Sequence, residues 1–215
     1  MKLYSGALSM FGAKCEMAVI EKGIDLEVEH VPFSLKDYYE PKPELTWEVN
    51  PKGQIPYLVD GDLRIYDSSL LFEFFEDVAP EPLLWPANPK DRARARLWEL
   101  ESDEIFFESV RMFMPMQRSA LSEDEIAQHR QDIDRFYNKV EKTLASSQFI
   151  TGSFSFADLA FYPAQFFAGV LGCGPGSKFS NISRWKNRMR GRASVDQVMG
   201  AMREYLVGHG FDVPD

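Results

Sequence analysis

Along the first 78 residues the apolar positions switch between two periods. Lys2-Leu3-Tyr4 is a short strand candidate. Phe11 to Lys22 carries apolar residues at helical spacing and stops at Gly23, a residue suited to a left-handed C-cap. Ile24, Leu26 and Val28 then alternate with Asp25, Glu27 and Glu29, the period of a half-buried strand. Strand, helix and strand in succession predict a parallel pair joined by a right-handed crossover. Tyr57-Leu58-Val59 and Leu63-Arg64-Ile65-Tyr66 flank Asp60-Gly61-Asp62, a hairpin signal. From Ser68, residues Leu70, Leu71, Phe74 and Phe75 return to helical spacing as far as Asp77. The stretch 32–50, with Pro32, Pro41, Pro43 and two adjacent tyrosines, carries no periodic signal.

A turn-rich link, Ala79-Pro80-Glu81-Pro82-Leu83-Leu84-Trp85-Pro86, follows, and beyond it strand signals nearly vanish. Arg92 to Met114 reads as one long helix ended by Pro115. Ser122 to Leu144 reads as another, with Ile126, Ile133, Phe136, Tyr137, Val140 and Leu144 on one stripe. Phe156 to Val170, Ile182 to Arg190 and Ser194 to Tyr205 are three more. The pattern predicts a small α/β domain over residues 1–78, a linker over 79–88 and an all-helical domain over 89–215.

Composition narrows the function. At 215 residues and 45 % hydrophobic, the chain can bury a substantial core. Its formal charge of −9 opposes the counterion-release term that drives nucleic-acid binding, and disfavours an anionic membrane surface. The two cysteines, Cys15 and Cys173, are not a disulfide framework, and a reducing cytoplasm is the simpler setting. The N-terminal apolar run is broken by Tyr4, Ser5 and Gly6, and Lys14 stands where a cleavage signal needs a small residue, so no signal peptide is expected. Phe154 to Gly172 is interrupted by Asp158, Pro163 and Gln165 and does not read as a membrane span. His30, His129 and His209 fall in separate elements without metal-ligand spacing, so no metal is expected; His129, between Ile126 and Ile133, is expected to pack.

Three segments carry a resemblance. "NPKGQIPYLVDG" (50–61) is similar to the Asn-Pro-x-Gly-x-Val-Pro-x-Leu segment of the glutathione S-transferase superfamily. "YDSSLLFEFFED" (66–77) resembles that family's Glu/Asp-Ser-x-x-Ile-x-x-Tyr-Leu segment, and "GSFSFADLAFYP" (152–163) its Gly-x-x-Ser/Thr-x-Ala-Asp segment. All three occur in the family's order and spacing, over nearly the whole chain. The resemblance implies an α/β thioredoxin-like N-terminal domain followed by an all-α C-terminal domain.

The resemblance also assigns roles. Pro56 on its own would be a trans proline at a strand entrance; in the family the equivalent bond is cis, and the turn offers the backbone of Ile55 to the cysteinyl part of glutathione. Asp67 and Ser68 on their own are ordinary N-caps at a helix start that favours an anion. By resemblance, Ser68 holds the γ-glutamyl carboxylate, Asp67 assists with the ammonium group, and Gln54 reaches the glycyl end. "ALSMFGAKCEMAVIEKG" (7–23) resembles the serine-type segment Ser-Pro-Phe-x-x-Arg/Lys-Val, with Ser9 at the serine, Met10 in place of proline and Cys15 in place of valine. A serine there donates a hydrogen bond to the glutathione sulfur and favours thiolate. Ser9 could instead only cap the helix, and Tyr4, Ser5 and Cys15 are the neighbouring alternatives, with Cys15 reading as a small buried residue. Ser155 and Asp158 form a reciprocal cap that the resemblance marks as a buried folding element. Met112, Met114, Met116, Phe106, Phe107 and Phe113 form a soft segment suited either to an apolar guest or to the core.

Two functions follow. One is a cytoplasmic, homodimeric glutathione transferase that joins glutathione, its co-substrate, to an apolar electrophile. The extra phenylalanines on the helix after Asp67 add to the dimer expectation. The other is a non-catalytic regulator, since "LYSGALSMFGAKCEMAVIEKGIDLEVEHV" (3–31) and "APEPLLWP" (79–86) resemble the stringent starvation protein A branch, which associates with RNA polymerase.

Overall fold

The computed structural model describes residues 1–214. Strand β1 (Lys2–Gly6) leads into helix α1 (Met10–Lys22), strand β2 (Glu27–Val31) and a short helix α2 (Glu44–Val49). Strands β3 (Tyr57–Asp60) and β4 (Leu63–Tyr66) precede α3 (Ser68–Val78). The helical half holds α4 (Pro89–Glu108), a 3₁₀ turn at Val110–Phe113, α5 (Pro115–Arg118), α6 (Glu123–Leu144), α7 (Phe156–Val170), α8 (Ser180–Arg190) and α9 (Ala193–Gly208).

The sheet runs β2-β1-β3-β4. β1 and β2 are parallel, with Leu3 opposite Val28, and β3 is antiparallel to both β1 and β4. The β3–β4 hairpin turns at Gly61, whose φ of 57° lies in the left-handed region where glycine carries no steric penalty. Gly23, at φ 62°, ends α1 in the same way, with its N–H on the Ile20 carbonyl.

Local signals and structure part at three places. β2 starts at Glu27 and four of its five residues are exposed. It is an edge strand, and Ile24 and Leu26 pack beside the core from the preceding turn rather than from a ladder. α2 interrupts the stretch that carried no periodic signal. The helix expected to run to Met114 ends at Glu108, because Val110 and Phe113 are drawn into the core as a separate 3₁₀ turn.

One apolar core joins the two halves. Phe72 of α3 stacks on Phe156 of α7 at 4.2 Å, and Trp85 lies 4.7 Å from Phe156. The connection that carries Trp85 is pinned by buried charge. Lys22 Nζ donates to Glu76 at 2.6 Å and to the Pro82 carbonyl at 2.8 Å. The Glu76 carboxylate accepts from the amides of Leu84 and Trp85. Among the described residues no helix is long and apolar enough to cross a membrane.

Candidate functional site

A cleft of about 630 Å³ lies between the sheet end of the α/β half and the wall formed by α4. Ser9, Gln54, Ile55, Pro56, Asp67 and Ser68 all line it, so residues 59 positions apart in sequence share one cavity.

The Ile55–Pro56 bond is cis. Among the described residues neither the N–H nor the C=O of Ile55 has a hydrogen-bond partner, because the β1–β3 ladder begins at Tyr57. The segment before it is fixed from behind: the Asn50 amide donates to the Gln54 carbonyl at 2.8 Å, and the Asn50 Oδ1 accepts from Lys52 N–H. An extended peptide backbone can therefore dock on Ile55 as an added strand.

At the start of α3, Asp67 adopts φ 80°, which a non-glycine residue rarely does. Its carboxylate accepts from the amides of Ser69 and Leu70 at 3.0 and 3.4 Å. Ser68 is buried, and its hydroxyl has no partner among the described residues. The helix start thus keeps one free hydroxyl beside the positive end of the α3 dipole, a combination suited to a carboxylate.

Ser9 is the N-cap of α1, and its Oγ accepts from Gly12 N–H at 2.9 Å. That bond uses a lone pair; the hydroxyl hydrogen has no acceptor among the described residues. Capping and donation to a ligand are therefore compatible. Gly12 is required by space, since a Cβ there would stand 2.1 Å from Ser5 Oγ. The loop ahead of Ser9 is held by Tyr39, whose hydroxyl accepts from Leu8 N–H at 3.1 Å. Burial pushes the Tyr39 phenol up to about 12.

The alternatives to Ser9 lie elsewhere. Ser5 is fully buried and donates to Glu16. Tyr4 stacks on Tyr57 at 4.7 Å, outside the cleft. Cys15 is fully buried, its Sγ 3.8 Å from the Ser68 carbonyl, and burial pushes its thiol well above the usual range. A thiol so placed is a poor nucleophile.

Of the soft segment on and after α4, only Phe107 lines the cleft, where it stacks on Phe11 at 4.9 Å. Phe106 and Phe113 are core residues, and Met116 is 68 % exposed. The helix turns through this region, so sequence neighbours face different surroundings. His129 is half-buried, its Nδ1 3.3 Å from Ser109 Oγ.

Behind the cleft, Lys14 is fully buried and bridges Glu99 at 2.5 Å and Asp103 at 2.6 Å. Burial alone would lower the Lys14 ammonium, but the attraction of the two carboxylates raises it. Two acids share one lysine, and burial, reinforced by Glu99, lifts Asp103 to about 7 against the pull of Lys14. Ser69 Oγ donates to Glu99 at 2.6 Å, tying the α3 start to this network. The partner acids on α4 carried no motif in sequence, because only the packing of the two halves brings them to Lys14.

Ser155 and Asp158 are not among the residues lining the cleft. They form a capping box at α7, in which the Asp158 carboxylate accepts from Ser155 N–H at 3.1 Å and Ser155 Oγ at 3.3 Å. The same carboxylate also accepts from Ile150 N–H at 3.0 Å and Trp185 Nε1 at 2.7 Å.

Comparison with known proteins matches residues 3–83 to the glutathione S-transferase N-terminal domain and residues 102–193 to the glutathione S-transferase C-terminal domain. A stringent starvation protein A homolog from Coxiella burnetii is 31 % identical over 112 residues, a match spanning 52 % of this chain and 51 % of that protein. Glutathione S-transferase 1 from Zea mays is 24 % identical over 94 % of this chain and 97 % of its own. The crystal structure of a glutathione S-transferase from the Antarctic clam Laternula elliptica superposes with a TM-score of 0.77 at 23 % identity, covering 92 % of this chain and 90 % of its own.

Proposed function

The chain belongs to the glutathione S-transferase superfamily, and on that premise we propose that it binds glutathione in this cleft and transfers it to an apolar electrophile. The γ-glutamyl carboxylate sits on Ser68 at the α3 start, with Asp67 near the ammonium group. The cysteinyl backbone pairs with Ile55 beside Pro56. Gln54 faces the glycyl end, where Lys42 and Lys52 supply positive charge to the same cleft. Ser9 Oγ–H donates to the sulfur and favours thiolate. The thiol proton leaves to solvent, the sulfur attacks an electrophilic carbon, a C–S bond forms, and the leaving group departs with its bonding electron pair.

The observation that carries this reading is the Ser9 hydroxyl: it lines the cleft with its oxygen engaged as a cap and its hydrogen unengaged. A thiol with a cysteine-like pKa of about 8.5 is only a few per cent thiolate at neutral pH. One hydrogen bond to the anion, worth about 1.5–3 kcal/mol, lowers that pKa by about one to two units. Ser9→Ala is expected to leave glutathione affinity nearly intact by titration calorimetry and to cut turnover at pH 7 by about ten- to a hundredfold. The loss should shrink as pH rises past the free thiol's pKa. Binding with unchanged turnover removes Ser9 from the mechanism.

The likeness to a stringent starvation protein A homolog supports a second reading, a non-catalytic regulator that associates with RNA polymerase as the resemblance to that branch implies. Absence of binding at millimolar glutathione selects it. We further infer a homodimer and a cytoplasmic location. Leu70 and Val78 of α3 and Leu97 and Leu100 of α4 are exposed apolar residues on adjoining helices, and both cysteines are free. Phe72 and Phe75, counted toward an interface from sequence, are core residues instead.

A further inference from the structure

The cleft is electrically divided. The cations among its lining residues are Lys42 and Lys52, both on the segments leading to Pro56. The opposite wall, on α4, presents Asp103, Glu104 and Glu108. Glu104 and Glu108 are one helical turn apart, exposed, and have no ion pair or hydrogen bond among the described residues. Asp103 is different. Its Oδ2 is held by Lys14, while its Oδ1 is shielded from solvent and has no hydrogen-bond partner. An unpaired buried carboxylate oxygen is costly and seeks a donor. Arg111 lies over the Phe107 ring at 5.4 Å and is not among the lining residues. The stacked pair Phe11 and Phe107 lines the same part of the cleft, with Phe107 39 % exposed.

We propose that this half of the cleft selects apolar or aromatic electrophiles that carry a positive charge, such as an ammonium or amidinium group. Phe11 and Phe107 hold the apolar body. Glu104 and Glu108 attract the charge and reject anions. The assignment rests on the transferase reading and names the class of its second substrate. Glutathione brings its own carboxylates to the cationic end, so the two substrates enter without competing for the same charges.

The test uses a pair of benzyl chlorides differing only in charge, one with a para trimethylammoniomethyl group and one with its carbon isostere, a para neopentyl group. In each, the glutathione sulfur attacks the benzylic carbon as chloride leaves with the bonding pair, and the thiol proton passes to solvent. Values of kcat/KM are divided by the uncatalysed rate with free glutathione. The wild type is expected to favour the cation by about tenfold, the scale of two partly screened carboxylates. Glu104→Gln combined with Glu108→Gln should reduce the ratio to about twofold, as should about 0.5 M salt, where the screening length falls below 5 Å. Asp62→Asn, which removes one charge from the exposed hairpin turn, should leave the ratio at about tenfold. A normalised ratio near one, or an unchanged ratio in the double variant, overturns the proposal.

Equilibrium dialysis of the inert pair benzyltrimethylammonium and neopentylbenzene, without glutathione, separates this idea from the activity. Tighter binding of the cation that is lost in the double variant supports the charge selection even if no transfer occurs, an outcome that would sink the transferase reading alone. Equal binding of the two compounds overturns the charge selection.

Discussion

Replacing Asp158 by alanine strips one carboxylate from four donors at once: the amides of Ile150 and Ser155, the Ser155 hydroxyl and the Trp185 indole N–H. The site is fully buried, so water does not replace the lost acceptor. Each orphaned buried donor costs about 1–3 kcal/mol. Three of the four, counting the hydroxyl as free to rotate, give an expected loss of about 3–5 kcal/mol after partial relaxation. Ser155→Ala keeps the two amides and the indole paired and should cost about 1 kcal/mol, the usual value of a lost cap. Urea unfolding followed by circular dichroism measures both, with the slope m unchanged. The pH dependence supplies an independent check. Burial raises the Asp158 carboxyl to about 6, even though four donors pull it down. A folded-state pKa above the unfolded value near 4 means that the folded protein binds the extra proton. The stability tied to this proton is full below about pH 4 and is lost as pH rises through about 6. Relative to Asp158→Asn, the wild type should therefore gain about 2–3 kcal/mol on going from pH 7 to pH 4. A midpoint for Asp158→Ala no lower than that of Ser155→Ala would refute the reasoning, as would a flat pH difference against Asp158→Asn.

Three further outcomes are expected. Ser68→Ala should weaken glutathione binding by about tenfold or more, the value of a hydrogen bond to a charged group, with kcat for bound substrate largely kept; initial rates against glutathione concentration separate the two. Lys14→Met should destabilise the protein by about 3–5 kcal/mol, because it leaves Glu99 and Asp103 buried without a counter-charge; thermal unfolding reads this directly. The chain should run as a dimer in light scattering at micromolar concentration, and Leu70→Glu with Leu97→Glu should shift it toward monomer, since both side chains are exposed apolar groups on α3 and α4.

The parts of the fold legible in the sequence are those fixed by chemistry within a few residues. Gly23 and Gly61 need positive φ, and Ser122 caps α6 through a box with Glu125. Where a neighbour elsewhere in the chain decides, the local signal fails. β2 keeps an alternating pattern, yet it lies at the sheet edge and buries only Val31. α2 is a six-residue helix between Pro43 and Asn50, too short to show a period and held by the burial of Thr46 and Val49. α4 begins at Pro89, whose missing N–H is harmless at a helix start, and not at Arg92.

The site divides along the same line. Ser9, Pro56 and Ser68 sit at a helix start, a cis turn and another helix start, three local devices that three short motifs specify. The sheet then brings them together, because β1 and β3 pair side by side and deliver their ends to one edge. The α4 wall has no such signature. Nothing in "LESDEIFFES" says that Asp103 meets Lys14, 89 residues earlier, or that Glu104 and Glu108 face a cleft rather than open water. Those positions depend on how the helical half docks, and the docking is set by large core contacts such as Phe72 on Phe156. On the proposed reading, the residues assigned to glutathione are therefore written in local motifs, while the wall assigned to the second substrate is written in tertiary packing. Under that proposal, substitutions at Glu104 and Glu108, which are exposed and unpaired on α4, should change the choice of electrophile while leaving Ser9, Ile55 and Ser68 in place.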